Sequence, residues 1–166
     1  VPWLVNAVMP DASATEISAW SFLVIGVGLS GAIWGGLMSQ RWGSARVAFV
    51  SLMISGSLCV LYPWISITPE LAITVLMIWG FFVIADSAQF SAISSKACDP
   101  EMVASALSIQ NSLGFLISIG SIVLLTQWMD HLGVSVVWLL IPGPLFGLFA
   151  MRSLMTESAP DHKTTV

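Results

Sequence analysis

The chain has 166 residues, of which 57% are hydrophobic and only 8% are charged, and its mean hydropathy is +0.92. A soluble domain carries about a quarter charged residues, so this composition excludes an ordinary water-soluble surface. The net charge of −4 comes without any basic cluster, which argues against nucleic-acid binding. We expect an all-α polytopic membrane helix bundle whose partner is the lipid bilayer.

Apolar runs define the predicted elements. Residues 1–9 are apolar but shorter than the 17–25 residues, roughly, that cross a bilayer, so we interpret them as the end of a truncated transmembrane helix. Longer runs, with Asp86 as the one charged residue inside them, predict five transmembrane helices at 17–38, 47–65, 71–94, 103–127 and 132–151. Residues 152–166 are predicted to form a cytoplasmic, disordered tail.

The first predicted span contains the motif G-x-G-x-x-G at residues 26–31, which has two interpretations. A dinucleotide-binding turn needs a strand before it and an acid about 20 residues after it, but no acid follows until Glu70. Gly31 and Gly35 form a small-xxx-small pair, which lets a neighbouring helix approach closely. The pattern therefore favours helix packing over nucleotide binding.

Charged residues divide between the two sides of the predicted bundle. If the five spans alternate in direction, every lysine and arginine lies on one side: Arg41, Arg46, Lys96, Arg152 and Lys163. The opposite connections contain acids and no basic residue. Because cytoplasmic loops carry the excess of lysine and arginine, we expect the carboxyl terminus in the cytoplasm.

Polar residues inside the spans are the candidate functional residues. Asp86 and Gln89 share a helix face in the third span, and Ser108 and Asn111 lie on one stripe of the fourth. Two adjacent polar stripes could line a solute path, or the same groups could join helices by hydrogen bonds of about 1 kcal/mol each. A buried carboxylate is costly unless it is paired, hydrated or protonated, so we assign a function to Asp86.

The function of Asp86 has two interpretations. As a proton carrier it would need burial that favours the protonated form. As a gate it would stay ionised and pair with Arg41 or Arg46 from the nearby cytoplasmic loop, because a long arginine can reach inward from the interface.

The loop between the first two predicted spans resembles a known signature. Residues 36–46 read GLMSQRWGSAR, which is similar to the loop G-x-x-x-D-R-x-G-R-R-K of the major facilitator superfamily. The resemblance is carried by the gate-loop residues Gly36, Gln40, Arg41, Gly43 and Arg46, of which Gln40 replaces the family's acid. The segments ADSAQFSA and SALSIQNSLGF also look like the tenth and eleventh helices of bacterial members.

The resemblance implies that the chain is the C-terminal six-helix half of a twelve-helix transporter in a bacterial plasma (inner) membrane, and that its partner is the N-terminal half of the same protein. It implies secondary transport of a small solute, with or without a coupled ion, by alternating access. It also implies that the loop controls a cytoplasmic gate and that Arg41 pairs with Asp86. No cofactor and no metal site is expected.

Two other classes of protein are alternatives to a transporter. A membrane-embedded enzyme would need a catalytic arrangement such as H-E-x-x-H or G-x-S-x-G, and neither occurs. A non-transporting membrane protein on the same fold, such as an assembly factor or a sensor, is compatible with every pattern above. We expect Asp86→Asn to impair transport and to leave membrane insertion intact.

Overall fold

The computed structural model describes residues 1–65 and 68–157, with side chains up to Arg152. Its elements are α1 (Pro2–Val8), α2 (Ala14–Trp42), α3 (Ser44–Ile65), α4 (Pro69–Ala97), α5 (Val103–Leu132), a 3₁₀ segment (Gly133–Leu140) and α6 (Pro142–Glu157). Over these residues the fold is all-helical with no strand, which confirms the predicted all-α class.

The ends of α2 follow from local hydrogen bonds. Ser13 and Glu16 form a reciprocal capping box, in which the Ser13 amide donates to Glu16 Oε2 at 2.8 Å and the Glu16 amide donates to Ser13 Oγ at 3.3 Å. At the other end Gly43, with φ of 85°, donates its amide to the Ser39 carbonyl at 3.0 Å. Because L side chains rarely adopt this backbone conformation, glycine allows α3 to begin at the next residue.

Helices α2 and α4 run parallel and cross on glycines. A Cβ at Gly31 would overlap the carbonyl group of Phe81, and one at Gly35 would lie 3.3 Å from the Ala85 carbonyl oxygen. The Trp34 ring lies 5.7 Å from the Phe81 ring beside this crossing. The motif at residues 26–31 therefore lies inside one continuous helix, where its third glycine packs against a neighbouring backbone.

Helix α3 runs antiparallel to α4. Near one end the ring of Tyr62 lies 5.9 Å from that of Trp79, and near the other end Ala48 packs in one cluster with Phe90 and Ile93. Helix α4 therefore packs against α2 on one side and α3 on another, and most of the buried residues lie among these three helices.

The last predicted span, at residues 132–151, is wrong as a single helix. Helix α5 continues to Leu132 and ends where Gly133 adopts a positive φ of 53°. A 3₁₀ segment follows, and α6 begins at Pro142, whose missing N–H is tolerated in a first helical turn. The sequence Pro142-Gly143-Pro144 therefore lies at a helix start.

The terminal predictions have different outcomes. Residues 1–9, expected as the end of a membrane helix, contain the seven-residue helix α1. Residues 152–157 of the predicted disordered tail belong to α6, because the helix continues past Met151. Residues 158–166 lie outside the described residues.

The helices are those of an integral membrane protein. Four helical stretches are long and apolar enough to cross a membrane, namely Ala14–Trp42, Ser44–Ile65, Pro69–Ala97 and Val103–Arg152. Large apolar side chains such as Phe22, Phe115 and Phe146 are more than 70% exposed, which suits contact with lipid rather than water.

The charges at the ends of α2 and α4 are segregated. Glu16 and Glu70 lie in the first turns of these parallel helices, and Arg41 and Lys96 lie in their last turns. Each placement also complements the helix dipole. The acids that start these two helices and the basic residues that end them therefore lie at opposite ends of the α2–α4 pair.

Candidate functional site

Asp86 and Gln89 lie inside the packed part of the bundle. They are 7% and 2% exposed, and the Nε2 atom of Gln89 lies 3.2 Å from the position of a Cβ at Gly35 of α2. The two residues share a face of α4, as their spacing predicts. This face is turned towards α2 and α3, and neither side chain meets the polar stripe of α5.

Helix α5 lies apart from that core, since none of its residues is buried. Ser108 and Asn111 are exposed, and Asn111 faces a cleft between α4 and α5 that Ser108 does not line. The structure therefore separates the four candidate residues into a buried pair, a cleft residue and an outlying serine.

The cleft has a volume of about 930 Å³. Its apolar walls come from side chains such as Phe90, Phe115 and Phe146, the last contributed by α6. Its polar residues are Ser87, Ser91, Ser94, Gln110, Asn111 and Ser118. None of the residues that line it carries a charge.

Only some of the polar side chains that line the cleft have hydrogen-bond partners. Ser87 donates to the Ile84 carbonyl at 3.2 Å and Ser118 donates to the Gly114 carbonyl at 2.8 Å, both within their own helices. The side-chain amides of Gln110 and Asn111 form no hydrogen bond to any described residue. An amide transferred to an apolar environment without a partner costs about 2–7 kcal/mol. These two side chains therefore require water, a ligand or another polar group in the cleft.

The gate-loop residues surround the tight connection between α2 and α3. Gln40, Arg41 and Arg46 are exposed, and Gly43 forms the whole connection between the two helices. Gly36 faces open space. The two arginines are therefore presented at the basic end of the bundle.

The ion pair between Arg41 and Asp86 that the resemblance implied is absent from the described residues. Asp86 is 7% exposed and has no hydrogen bond or ion pair to Arg41. Gly35 lies at the level of Ala85 and Gln89, and Arg41 follows Gly35 by six residues. Six helical residues span about 9 Å, so Arg41 lies well beyond Asp86 along the helix axis and points outward.

The serines of α4 that line the cleft were missed by the sequence analysis. Ser87, Ser91 and Ser94 recur at i, i+4 and i+7, which places them on one face of a helix. This spacing predicts a second polar face of α4, opposite the face that carries Asp86 and Gln89.

Comparison with known proteins finds no matching family model, no matching curated protein and no matching solved structure. The resemblance to the major facilitator superfamily therefore depends on the signature-loop residues and the two helix segments alone.

Proposed function

We propose that the chain is part of a secondary transporter of the major facilitator type that moves a small solute by alternating access, and that the cleft between α4 and α5 is part of the solute path. The observation that carries the proposal is the pair of unpaired side-chain amides, Gln110 and Asn111, in a cleft between two helices of membrane length.

Side-chain hydroxyls and side-chain amides differ in what a membrane helix can satisfy. Hydroxyl groups can be satisfied by their own helix, as Ser112 and Ser121 are on α5, so serines alone are tolerated in contact with lipid. A side-chain amide has two donors and an acceptor that the helix backbone does not satisfy. Polar side chains of membrane helices that face a cavity mark the path of a solute or ion.

The lining favours an uncharged polar solute on this side of the path. Serine hydroxyls and side-chain amides supply donors and acceptors, and the aromatic rings supply apolar walls, a combination typical of small-molecule sites. An anionic solute would need a counter-charge that the lining does not offer.

Water access gives the first test. Cys59 and Cys98 are replaced by serine in the full natural chain, and single cysteines are introduced at Ser91 in the cleft and at Ile119, which is 61% exposed on α5 outside the cleft. We expect a membrane-impermeant thiol reagent to label Ser91→Cys at least tenfold faster than Ile119→Cys. Equal, slow labelling at both positions would instead support the non-transporting membrane protein, because the cleft would then be closed to water.

Transport gives the second test. Vesicles containing the full natural chain are assayed with a panel of radiolabelled neutral polar solutes, and any solute taken up is tested again with variants. We expect Asn111→Ala to lower uptake at least tenfold and Ser108→Ala, on the same helix outside the cleft, to leave it unchanged. We also expect Asp86→Asn to impair uptake with normal membrane insertion. Parental uptake by Asn111→Ala would remove the cleft from the path.

A further inference from the structure

A second polar group of residues lies within the bundle, away from the cleft. Asp86 and Gln89 on α4 and Ser51 and Ser55 on α3 are exposed by 7%, 2%, 0% and 3% respectively. Three of these side chains are neutral and one is a carboxylate. Buried polar groups are nearly always hydrogen-bonded, so each member of this layer needs a partner.

Two side-chain atoms of these residues are fully buried and have no hydrogen-bond partner. Ser51 Oγ and Gln89 Oε1 are buried without a hydrogen bond. Ser57, on the same helix as Ser51, shows the usual alternative, because its hydroxyl donates to the Met53 carbonyl at 2.8 Å. The hydroxyl of Ser51 instead forms no such bond to its own helix.

The packing register brings these groups to two adjacent levels, about one helical turn apart. Helix α3 is antiparallel to α4, and the cluster of Ala48 and Leu52 with Phe90 and Ile93 sets Ser51 at the level of Gln89. One turn further along α3, Ser55 reaches the level of Asp86. The neutral oxygens of Ser51 and Gln89 therefore flank the face that carries the carboxylate.

The orientation of Gln89 adds to this arrangement. Its Nε2 atom lies against Gly35 of α2 without a hydrogen bond to any described residue, and its Oε1 atom is buried without a hydrogen-bond partner. The buried atoms of this layer that lack a partner, Ser51 Oγ on α3 and Gln89 Oε1 on α4, are both oxygens.

We propose that the Asp86 carboxylate, Gln89 Oε1 and Ser51 Oγ bind a monovalent cation of the size of sodium. Carboxylate, amide and hydroxyl oxygens are the ligands of hard cations. A single carboxylate balances a single positive charge, whereas a divalent ion would leave the buried site with excess charge. The inference rests on the buried layer and holds whether or not the cleft carries a solute.

Few ionisable groups lie on the elements around this layer. Helix α6, which packs against α3, carries Arg152 next to Met151, and Met151 lies in the cluster with Ala48 and Leu52. Between Glu16 and Arg41 helix α2 has no ionisable group, and helix α4 has only Asp86 between Glu70 and Lys96. On α3, Arg46 lies near one end, and Cys59 and Tyr62 lie towards the other. Helices α1 and α5 add none at this depth; the ionisable residues of α5 are Asp130 and His131 at its far end.

The test measures thermal unfolding of the purified full natural chain in detergent at neutral pH, with sodium, potassium or choline chloride at equal ionic strength. We expect sodium to raise the unfolding midpoint by about 4 °C over choline, with half of the effect at millimolar concentration. Asp86→Asn should abolish the sodium effect. Ser51→Ala and Gln89→Leu should each raise the half-saturating concentration about tenfold, and Ser57→Ala should leave it unchanged.

Three results would overturn the proposal. One is a midpoint that does not depend on the cation. The second is a sodium effect that persists unchanged in Asp86→Asn. The third is an unfolding midpoint that rises when the pH is lowered but not when sodium is added, which would make Asp86 a proton site. If Asp86→Asn does not fold, the half-saturating concentrations of Ser51→Ala and Gln89→Leu decide. None of these readouts involves solute flux, so failure here is distinct from failure of the transport proposal.

Discussion

Helices α2 and α5 are nearly equal in length, with 29 and 30 residues, and both are apolar helices with glycines and serines along them. They nevertheless differ in how much of each helix is buried. Five residues of α2 are buried, three of them glycines, and none of α5 is buried. Cβ atoms at Gly114 and Gly120 of α5 would meet nothing within 4 Å. A glycine in an apolar helix therefore indicates close packing only where another backbone meets it.

The largest expected effect tests this contrast directly. Gly31→Ala places a methyl group against the Phe81 carbonyl, and backbone cannot move aside as a flexible side chain can. We expect a loss of about 3 kcal/mol in the free energy of unfolding, at the upper end of overpacking costs, seen as a lower thermal midpoint in detergent. Gly120→Ala should be neutral or stabilising by up to about 1 kcal/mol, because alanine favours helix.

Gly26→Ala is the matched control within α2, since a Cβ there also meets open space. If Gly120→Ala lowers the midpoint as much as Gly31→Ala does, α5 is packed against a partner, and the contrast between the two helices fails.

The next largest effect is the loss of stability when either of two glycines with positive φ is replaced by alanine. Gly43 (φ 85°) joins α2 to α3, two helices that both have buried residues, and Gly133 (φ 53°) joins α5 to the 3₁₀ segment. Strain of this kind costs about 1–3 kcal/mol when the surroundings hold the backbone in place. We expect Gly43→Ala to lose about 2 kcal/mol and Gly133→Ala less than about 1 kcal/mol, because α5 has no buried residue to resist a small shift.

Chemical unfolding monitored by tryptophan fluorescence measures both variants. Equal losses would show that the end of α5 is held as firmly as the end of α2.

The sequence predicted much of this architecture for physical reasons. Hydropathy locates α2, α3 and α4 because each apolar run ends near charged residues, and the spacing of Gly31 and Gly35 predicts a close helix crossing. The end of α5 was placed too early because Asp130 and His131 were interpreted as a connection between two spans, whereas the helix continues through them to Leu132. Gly133 was the available signal, since glycine commonly ends helices.

The candidate site was harder to predict. Helix α4 has two polar faces, one with Asp86 and Gln89 and the other with Ser87, Ser91 and Ser94. Helical periodicity separates the faces, but it does not say which of them meets α5. That choice depends on the crossing of α2 and α4, which is a tertiary contact. The prediction therefore joined Asp86 to Asn111, whereas the structure places them on different sides of α4.

A smaller effect concerns the attachment of the 3₁₀ segment to α3. Trp138 donates its Nε1–H to the Val60 carbonyl at 3.1 Å, and its ring lies 6.1 Å from that of Trp64. We expect Trp138→Phe to lower the free energy of unfolding by about 1 kcal/mol, the usual value of one hydrogen bond. Trp128→Phe, on α5, should change it by less than half as much.

Hydrogen exchange at the amides of α5 gives a second readout for these two variants. Exchange should accelerate in Trp138→Phe and not in Trp128→Phe, because the 3₁₀ segment contacts both α5 and α3 and so links the end of α5 to the bundle. Unchanged exchange in Trp138→Phe would mean that the cleft side of α4 holds α5 without it.

The smallest effect concerns the helix starts. Helix α2 begins with a capping box, whereas Met102 caps α5 with no side-chain hydrogen bond. Hydrogen bonds with the backbone and side chain of Ser13 hold the pKa of the exposed Glu16 carboxyl below its usual value of 4.5. A lowered pKa in the folded state means that the ionised form is the one stabilised, so the contribution is present above pH 4.5 and is lost as the pH falls through the lowered value.

We expect Glu16→Ala to lower the thermal midpoint slightly at neutral pH and to match the parent once the pH is below the folded-state pKa. Glu70→Ala is the control, because Glu70 starts α4 without a side-chain cap. A deficit in Glu16→Ala that stays constant down to strongly acidic pH would show that the carboxylate's charge does not matter, and that the capped start of α2 owes its stability to the Ser13 hydroxyl alone.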